Sequence, residues 1–174
     1  MTGWKNDKKW SDRFIDELIG IVRLHMPVKV IRTGDHTEDA MENSDLVVLR
    51  FDSLRVACRV RRPDYSGRYS GEFTIRAGRP SGTPTELAKI MEGWGNLLIY
   101  AFSDVSERRL ATWHLIDLGK LRIALHRNPD LLSGKYRHKN KDGSSWFFAW
   151  PFEDFPGDLV IARFDLSVQD AVLQ

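Results

Sequence analysis

Residues 45–102 carry four runs in close order: DLVVLRF (45–51), RVACRVRR (55–62), EFTIR (72–76) and TELAKIMEGWGNLLIYAF (85–102). The first three are short, apolar or β-branched, and bounded by turn formers, so they read as strands. In the fourth, Leu87, Ile90, Met91 and Trp94 form an apolar stripe at helical spacing. Thr83 or Thr85 is placed to cap that helix, Gly93 or Gly95 to end it, and NLLIYAF to follow as a buried strand. Asp52, Ser53 and Leu54 join the first two runs, a connection short enough for a hairpin. A turn centred on Ser53 sets Asp45 across from Arg61, with Asp45, Val47 and Leu49 on the face of Ala57, Arg59 and Arg61. Acidic residues at strand starts thus sit among many arginines, bringing candidate metal ligands close to candidate phosphate contacts.

Working outward, MTGWKNDKKW (1–10) is polar and basic and reads as a loosely held arm. A helix is expected after it, with Ser11 as N-cap, Asp12 in the first turn, and Phe14, Ile15, Leu18, Ile19, Ile21 and Val22 at helical spacing. Pro27 ends it, VKVIR (28–32) reads as a strand, and TGDHTEDAMENS (33–44) reads as an acidic loop. Beyond the central block, WHLIDLGKLRIALHR (113–127) reads as a strand then a short helix, broken by Asn128 and Pro129. KYRHKNKDGSSWFFAWPF (135–152) reads as two strands around Asp142 and Gly143, and LVIARFDL (159–166) as one more strand. The expected class is α/β, bordering on α+β, in a single domain over residues 1–174.

The chain has 42% hydrophobic and 29% charged residues, enough apolar material for one core. Its formal net charge is only +2, so any attraction for a polyanion must come from a local basic surface. The single cysteine, Cys58, has no intramolecular partner and reads as a buried thiol within a strand. With no apolar run near membrane-spanning length, the protein is expected to be soluble and cytoplasmic, with no membrane partner.

The order helix, strand, hairpin, strand, helix, strand resembles the PD-(D/E)XK, or restriction-endonuclease-like, superfamily. The residues that carry the resemblance are Asp45 ahead of an apolar strand, the arginine-rich partner strand, and the helix leading through GWGNLLIYAF, within residues 11 to 103. In that family an aspartate begins one strand, a Glu-x-Lys lies on its neighbour, and the following helix and strand complete the core. The resemblance implies a central mixed sheet with an α-β-β-β-α-β core, extended here by the C-terminal strands. Two alignments are open. One lays RVACRVRR on the Glu-x-Lys strand, so that Arg59 stands at the glutamate position and Arg61 at the lysine position. The other uses GEFTIR, with Glu72 as the acid, Thr74 at the lysine position, and the basic role moved to Arg76, Arg61 or Lys89.

The second alignment implies a metal-dependent phosphodiester hydrolase. Asp45 and Glu72 would hold Mg2+, a cation that takes one or two carboxylates along with water and phosphate. Lys89 would stabilise developing charge, and Glu17 would join from the first helix. Each residue also has a plainer reading. Asp45 can pair with Arg61 across the hairpin, Glu72 with Arg62 or Arg76, and Glu86 with Lys89 on a solvated helical face, while Glu17 can be a boundary charge.

The arginines form the densest signal. Arg55, Arg59, Arg61, Arg62, Arg68, Arg76 and Arg79 alternate with Tyr65 and Tyr69; guanidiniums bind phosphate bidentately and tyrosines stack on bases. Arg59, Arg61, Arg62, Arg76 and Arg79 are the candidate contacts to DNA or RNA, against the plainer reading of surface arginines paired with acids. A second basic group, Lys135, Tyr136, Arg137, His138, Lys139 and Lys141, suits either a nucleic-acid backbone or a solvated hairpin. The five histidines have no zinc-like spacing, and neither GxxxxGK[ST] nor GxGxxG occurs. Three functions follow as expectations: a magnesium-dependent endonuclease-like hydrolase, a nucleic-acid-binding module of the same fold without catalysis, or an interaction domain. The last would use Trp146, Phe147, Phe148, Trp150, Phe152 and Phe155, which otherwise cover a sheet, to form a homodimer or bind another protein.

Overall fold

Alternation along β3 (Leu54–Arg61) sorts the chain onto two sides of a sheet. The computed structural model describes residues 3–26, 30–33, 46–49, 54–69 and 71–166, so Asp45 lies outside the described residues. Here β3 joins β1 (Val30–Thr33), β2 (Leu46–Leu49), β5 (Leu97–Ser103), β6 (Leu110–Asp117) and β9 (Val160–Asp165) in a six-stranded sheet of order β1-β2-β3-β5-β6-β9. Neighbours are antiparallel except β3 and β5, which run parallel from Val56 beside Leu97 to Arg61 beside Phe102. A parallel pair needs a crossover. This one runs through α3 (Ser66–Tyr69), β4 (Glu72–Gly78) and α4 (Glu86–Met91).

The class is therefore mixed α/β, but EFTIR departs from the sequence expectation. Instead of joining the central sheet, β4 forms a second sheet with β8 (Trp146–Pro151) and β7 (Arg137–Lys139), in the order β4-β8-β7. The reason is aromatic burial. Phe73 stands opposite Trp150 with ring centroids 5.5 Å apart, Ile75 stands opposite Phe148, and all four side chains are buried. The hairpin register also differs from expectation. Leu46 stands opposite Val56, whereas Asp45 against Arg61 would have set Leu46 against Val60. Arg59 and Arg61 thus extend past the described β2 ladder, which ends at Val56, and pair on their other side with Tyr100 and Phe102.

The segment expected to be an arm is helical. Among the described residues α1 (Gly3–Ser11) continues through a 3-10 turn into α2 (Ile15–His25), and Ser11 closes α1 rather than capping α2, its hydroxyl donating to Lys8 O at 2.9 Å. Trp10, Phe14, Leu18 and Val22 repeat every four residues along one ridge. They bury Val56, Leu97, Ile99 and Leu115 on one face of the sheet, with Cys58 partly buried among them. Burying each large side chain contributes roughly 1.5–3 kcal/mol. Met26 is extended, as befits the residue before a proline.

Ala57, Leu98, Tyr100, Phe102 and Ile116 look the other way, against α4, α5 (Leu118–Arg127) and the second sheet. Asp117 caps α5 by accepting from Lys120 N at 3.0 Å, and the helix gives way at Asn128 before Pro129. The aromatic run covers a sheet: Phe148 and Trp150 stack at 5.2 Å, and Trp150 Nε1–H donates to Leu131 O at 2.6 Å. No helix among the described residues is long and apolar enough to cross a membrane.

Candidate nucleic-acid interface

Odd positions of β3 beyond Ala57 hold arginines, so the face that is core at Ala57 becomes cationic at the strand's C-terminal end. Arg59 lies beside Tyr100 of β5, and the edge of the second sheet approaches at that point. Tyr100 Oη and Thr74 Oγ1 share a buried hydrogen bond of 3.1 Å, while Arg59 Nη1–H donates to Thr74 O at 3.2 Å. Glu86, in the first turn of α4, completes the arrangement. Its Oε2 pairs with Arg59 Nη2 and accepts the backbone N–H of Arg76 at 3.1 Å. The helix is set in place by Thr85, whose hydroxyl accepts from Ala88 N at 3.4 Å.

The electrostatic balance is lopsided. Burial draws the Arg76 guanidinium below its ordinary pKa, Arg59, Arg79 and Arg61 push in the same direction, and Glu86 opposes them. Three guanidiniums thus bear on that of Arg76, and Glu86 is the carboxylate that opposes them there. Arg61 lies over the Tyr65 ring at 4.6 Å, and Tyr65 lies 6.2 Å from Tyr69; both tyrosines are exposed. A cleft of about 400 Å³ wraps the end of β3, lined by Arg59, Arg61, Arg62 and Arg76 with Lys8 and Tyr65, and by Asp7, which lies 3.7 Å from Arg62. From its far wall Arg62 stacks on Trp10 at 4.6 Å and pairs with Glu107 at 3.1 Å, and Trp10 Nε1–H donates to Glu107 at 2.8 Å. Guanidinium groups in a groove beside exposed aromatic faces can hold phosphates while bases stack.

The residues expected to be catalytic are distributed differently. Glu72 begins β4 opposite Pro151; burial raises its carboxyl pKa, an effect that His138 partly offsets. Glu17 lies on the opposite face of the central sheet, where its carboxylate accepts from Leu110 N at 2.9 Å. Lys89 follows Glu86 in α4 and is partly buried. Asp45 is outside the described residues. Among the described residues no three His, Cys, Asp or Glu side chains converge as a metal-binding group.

Glu86 was legible as a helix former and not as the anion of the arginine cluster, because its partner comes from a strand 27 residues earlier. The available signal was an acid in the first turn of a helix that must cross over an arginine-rich strand. Thr74 and Tyr100, which set the floor beneath Arg59, had no signal beyond strand alternation. Neither a scan against protein-family models nor searches of curated proteins and solved structures found a match to this chain.

Proposed function

We propose that this chain binds nucleic acid through the cleft at the end of β3, on a restriction-endonuclease-like fold. The fold reading is supported by α2, β1, β2, β3, α4 and β5: a helix, a three-strand meander and a helix leading to a strand parallel to β3, with β4 diverted to the second sheet. The observation that carries the binding reading is the gathering of Arg59, Arg61, Arg62 and Arg76 along one cleft, where Arg59 and Arg61, together with Arg79, bear on the Arg76 guanidinium. A polyanion relieves that repulsion and releases its own counterions. Fluorescence anisotropy with labelled single- and double-stranded oligonucleotides of DNA and RNA tests this across salt. Affinity should fall as salt rises, with Arg61→Ala and Arg76→Ala each flattening the salt slope by roughly 0.7–0.9 for every phosphate that is no longer neutralised. Unchanged slopes in both variants would sink the proposal.

Phosphodiester hydrolysis with Mg2+ is the second reading. The specific observation in its favour is the desolvated Glu72 carboxylate, which a divalent cation would return to its ionised form. Glu72 would share the ion with Asp45, and the cation would polarise a phosphoryl oxygen. Cleavage that requires magnesium and disappears in both Asp45→Asn and Glu72→Gln supports this reading. Binding that survives in those variants, with no cleavage in the wild type, leaves a binding module.

A further inference from the structure

Alternation gives the second sheet a face turned away from the core. Phe73, Ile75, Phe148 and Trp150 point inward, so Arg76, Phe147 and His138 point outward. The register sets these three in one row, Arg76 opposite Phe147 and Phe147 opposite His138. In the adjacent row Thr74 and Ala149 are buried, whereas Arg76 and Phe147 are half-buried and His138 is exposed. The open row begins in the arginine cleft, which Arg76 lines, and ends on the edge strand β7.

Phe147 belongs to neither hydrophobic core. Its ring stacks instead on the His138 imidazole, with centroids 5.7 Å apart and planes 22° from parallel. Its neighbour Trp146 packs inward, with the Arg137 guanidinium 4.0 Å from the ring centroid. Two near-parallel rings on an open sheet surface offer π faces, and every base can stack on a π face. Around them the cations Arg76, Arg79, Lys139 and Lys141 outnumber the acids, which are Glu72, within electrostatic reach of His138, and Asp142 at the hairpin tip. Charge and aromatic surface therefore lie together along one path.

We propose that the outer face of the second sheet continues the arginine cleft and receives unpaired bases of a single-stranded nucleic acid, one of them stacked on Phe147 and His138. This rests on the nucleic-acid-binding reading and narrows its ligand to a single strand. Arg76 and His138 lie two strands apart, roughly 10 Å, so a strand with a phosphate at Arg76 reaches the rings with its next bases. A duplex keeps its bases stacked on one another, whereas splayed single-stranded bases can lie on aromatic side chains. An acidic peptide would meet the cations and leave both rings uncovered.

Fluorescence anisotropy of the full chain with labelled oligothymidylates of about four and about twelve nucleotides, and with a labelled duplex, tests the extension. Phe147→Leu keeps an apolar side chain in the sheet and removes the ring. It should lose about tenfold in affinity for the longer strand, the worth of one base–aromatic stack, and bind the shorter strand and the duplex as the wild type does. Its salt slope should not change, because a ring releases no counterions. Arg76→Ala should instead weaken both lengths and flatten the slope. Unchanged affinity of Phe147→Leu for the longer strand, or an equal loss on the duplex, overturns the proposal and leaves the cleft reading in place. Absence of any oligonucleotide binding by the wild type defeats both. Polyglutamate that competes as well as the oligothymidylate overturns the stacking role, since it carries charge without bases. If Phe147→Leu melts lower than the wild type, photo-crosslinking of the wild type decides. A bromodeoxyuridine-substituted strand should form adducts at Phe147 or His138, and adducts confined to Tyr65 and Tyr69 overturn the extension.

Discussion

Glu86 ties Arg59 of β3 to the first turn of α4 and fixes the backbone of Arg76 with the same oxygen, so one carboxylate joins the central sheet, the crossover helix and the second sheet. The pair is largely shielded, with side-chain exposures of 21% for Arg59 and 11% for Glu86. Glu86→Gln removes the negative charge that opposes the repulsion at Arg76. The variant should bind oligonucleotides more tightly, with a steeper salt slope, and lose on the order of 1–3 kcal/mol of stability from the half-paired guanidinium. Weaker binding, matching that of Arg59→Ala, would instead show that Glu86 is needed to hold Arg59 in its binding position.

Tyr65 and Tyr69 offer exposed rings beside Arg61. Tyr65→Ala should weaken single-stranded binding by about 1–3 kcal/mol, the worth of one base–aromatic stack, and leave duplex affinity nearly intact. Competition between single and double strands for the same labelled probe measures the difference. Equal losses on both would assign Tyr65 to positioning Arg61.

Gly78 lies at an irregularity of the β4–β8 ladder, opposite Trp146. A Cβ built there would come within 1.7 Å of Trp146 Nε1, closer than any real contact. Gly78→Ala should therefore displace the indole and cost roughly 1–3 kcal/mol through overpacking. Urea denaturation of Gly78→Ala should show the loss, and Trp146→Phe in the same background should recover part of it.

The buried imidazole gives stability a pH signature. His114 titrates near its ordinary value of 6.5 in the unfolded chain and at about 4 when folded. Between those values the unfolded chain holds a proton that the folded protein lacks, so stability should decline as pH falls from 6.5 to 4. Arg163 and Asp165 face the same ring and are retained in His114→Phe. Melting curves of that variant should show a flatter profile through this window, while an unaltered profile would place the titration elsewhere.

Glu107 receives both the Trp10 indole N–H at 2.8 Å and the Arg62 guanidinium at 3.1 Å. Glu107→Gln should loosen α1 from the sheet by about 1 kcal/mol and shift the Trp10 fluorescence towards that of an exposed indole. Difference spectra against Trp10→Phe isolate the contribution.

The local elements were readable wherever periodicity and punctuation agreed. All of NLLIYAF after Asn96 is buried in β5, Thr85 caps α4, and Gly143, with φ of 68°, turns the chain between β7 and β8 where Asp142-Gly143 was expected to. Reading failed where partners lie far apart in sequence. Phe73 and Ile75 had an apolar face whichever sheet received them, and only the aromatics some 75 residues later decide the matter. The hairpin register went astray because a turn centred on Ser53 and the observed pairing both keep alternation intact. In the candidate site, the arginines were evident from density alone, whereas Glu86, Thr74 and Tyr100 meet Arg59 or one another only through contacts between separate elements.

The excursion of the chain between β3 and β5 has a consequence for how the protein folds. β4 leaves the central sheet to pair with β8, so closing the parallel β3–β5 contact and assembling the second sheet draw on interleaved segments. Along the chain β4 falls between β3 and β5, and β7 and β8 fall between β6 and β9. Such interlocking couples the N-terminal and C-terminal halves into one cooperative transition with many non-local contacts, which slows folding and denies an independent life to a fragment ending at Ser103. A chain cut there would leave Phe73 and Ile75 without their cover and β4 with an unpaired edge, open to self-association.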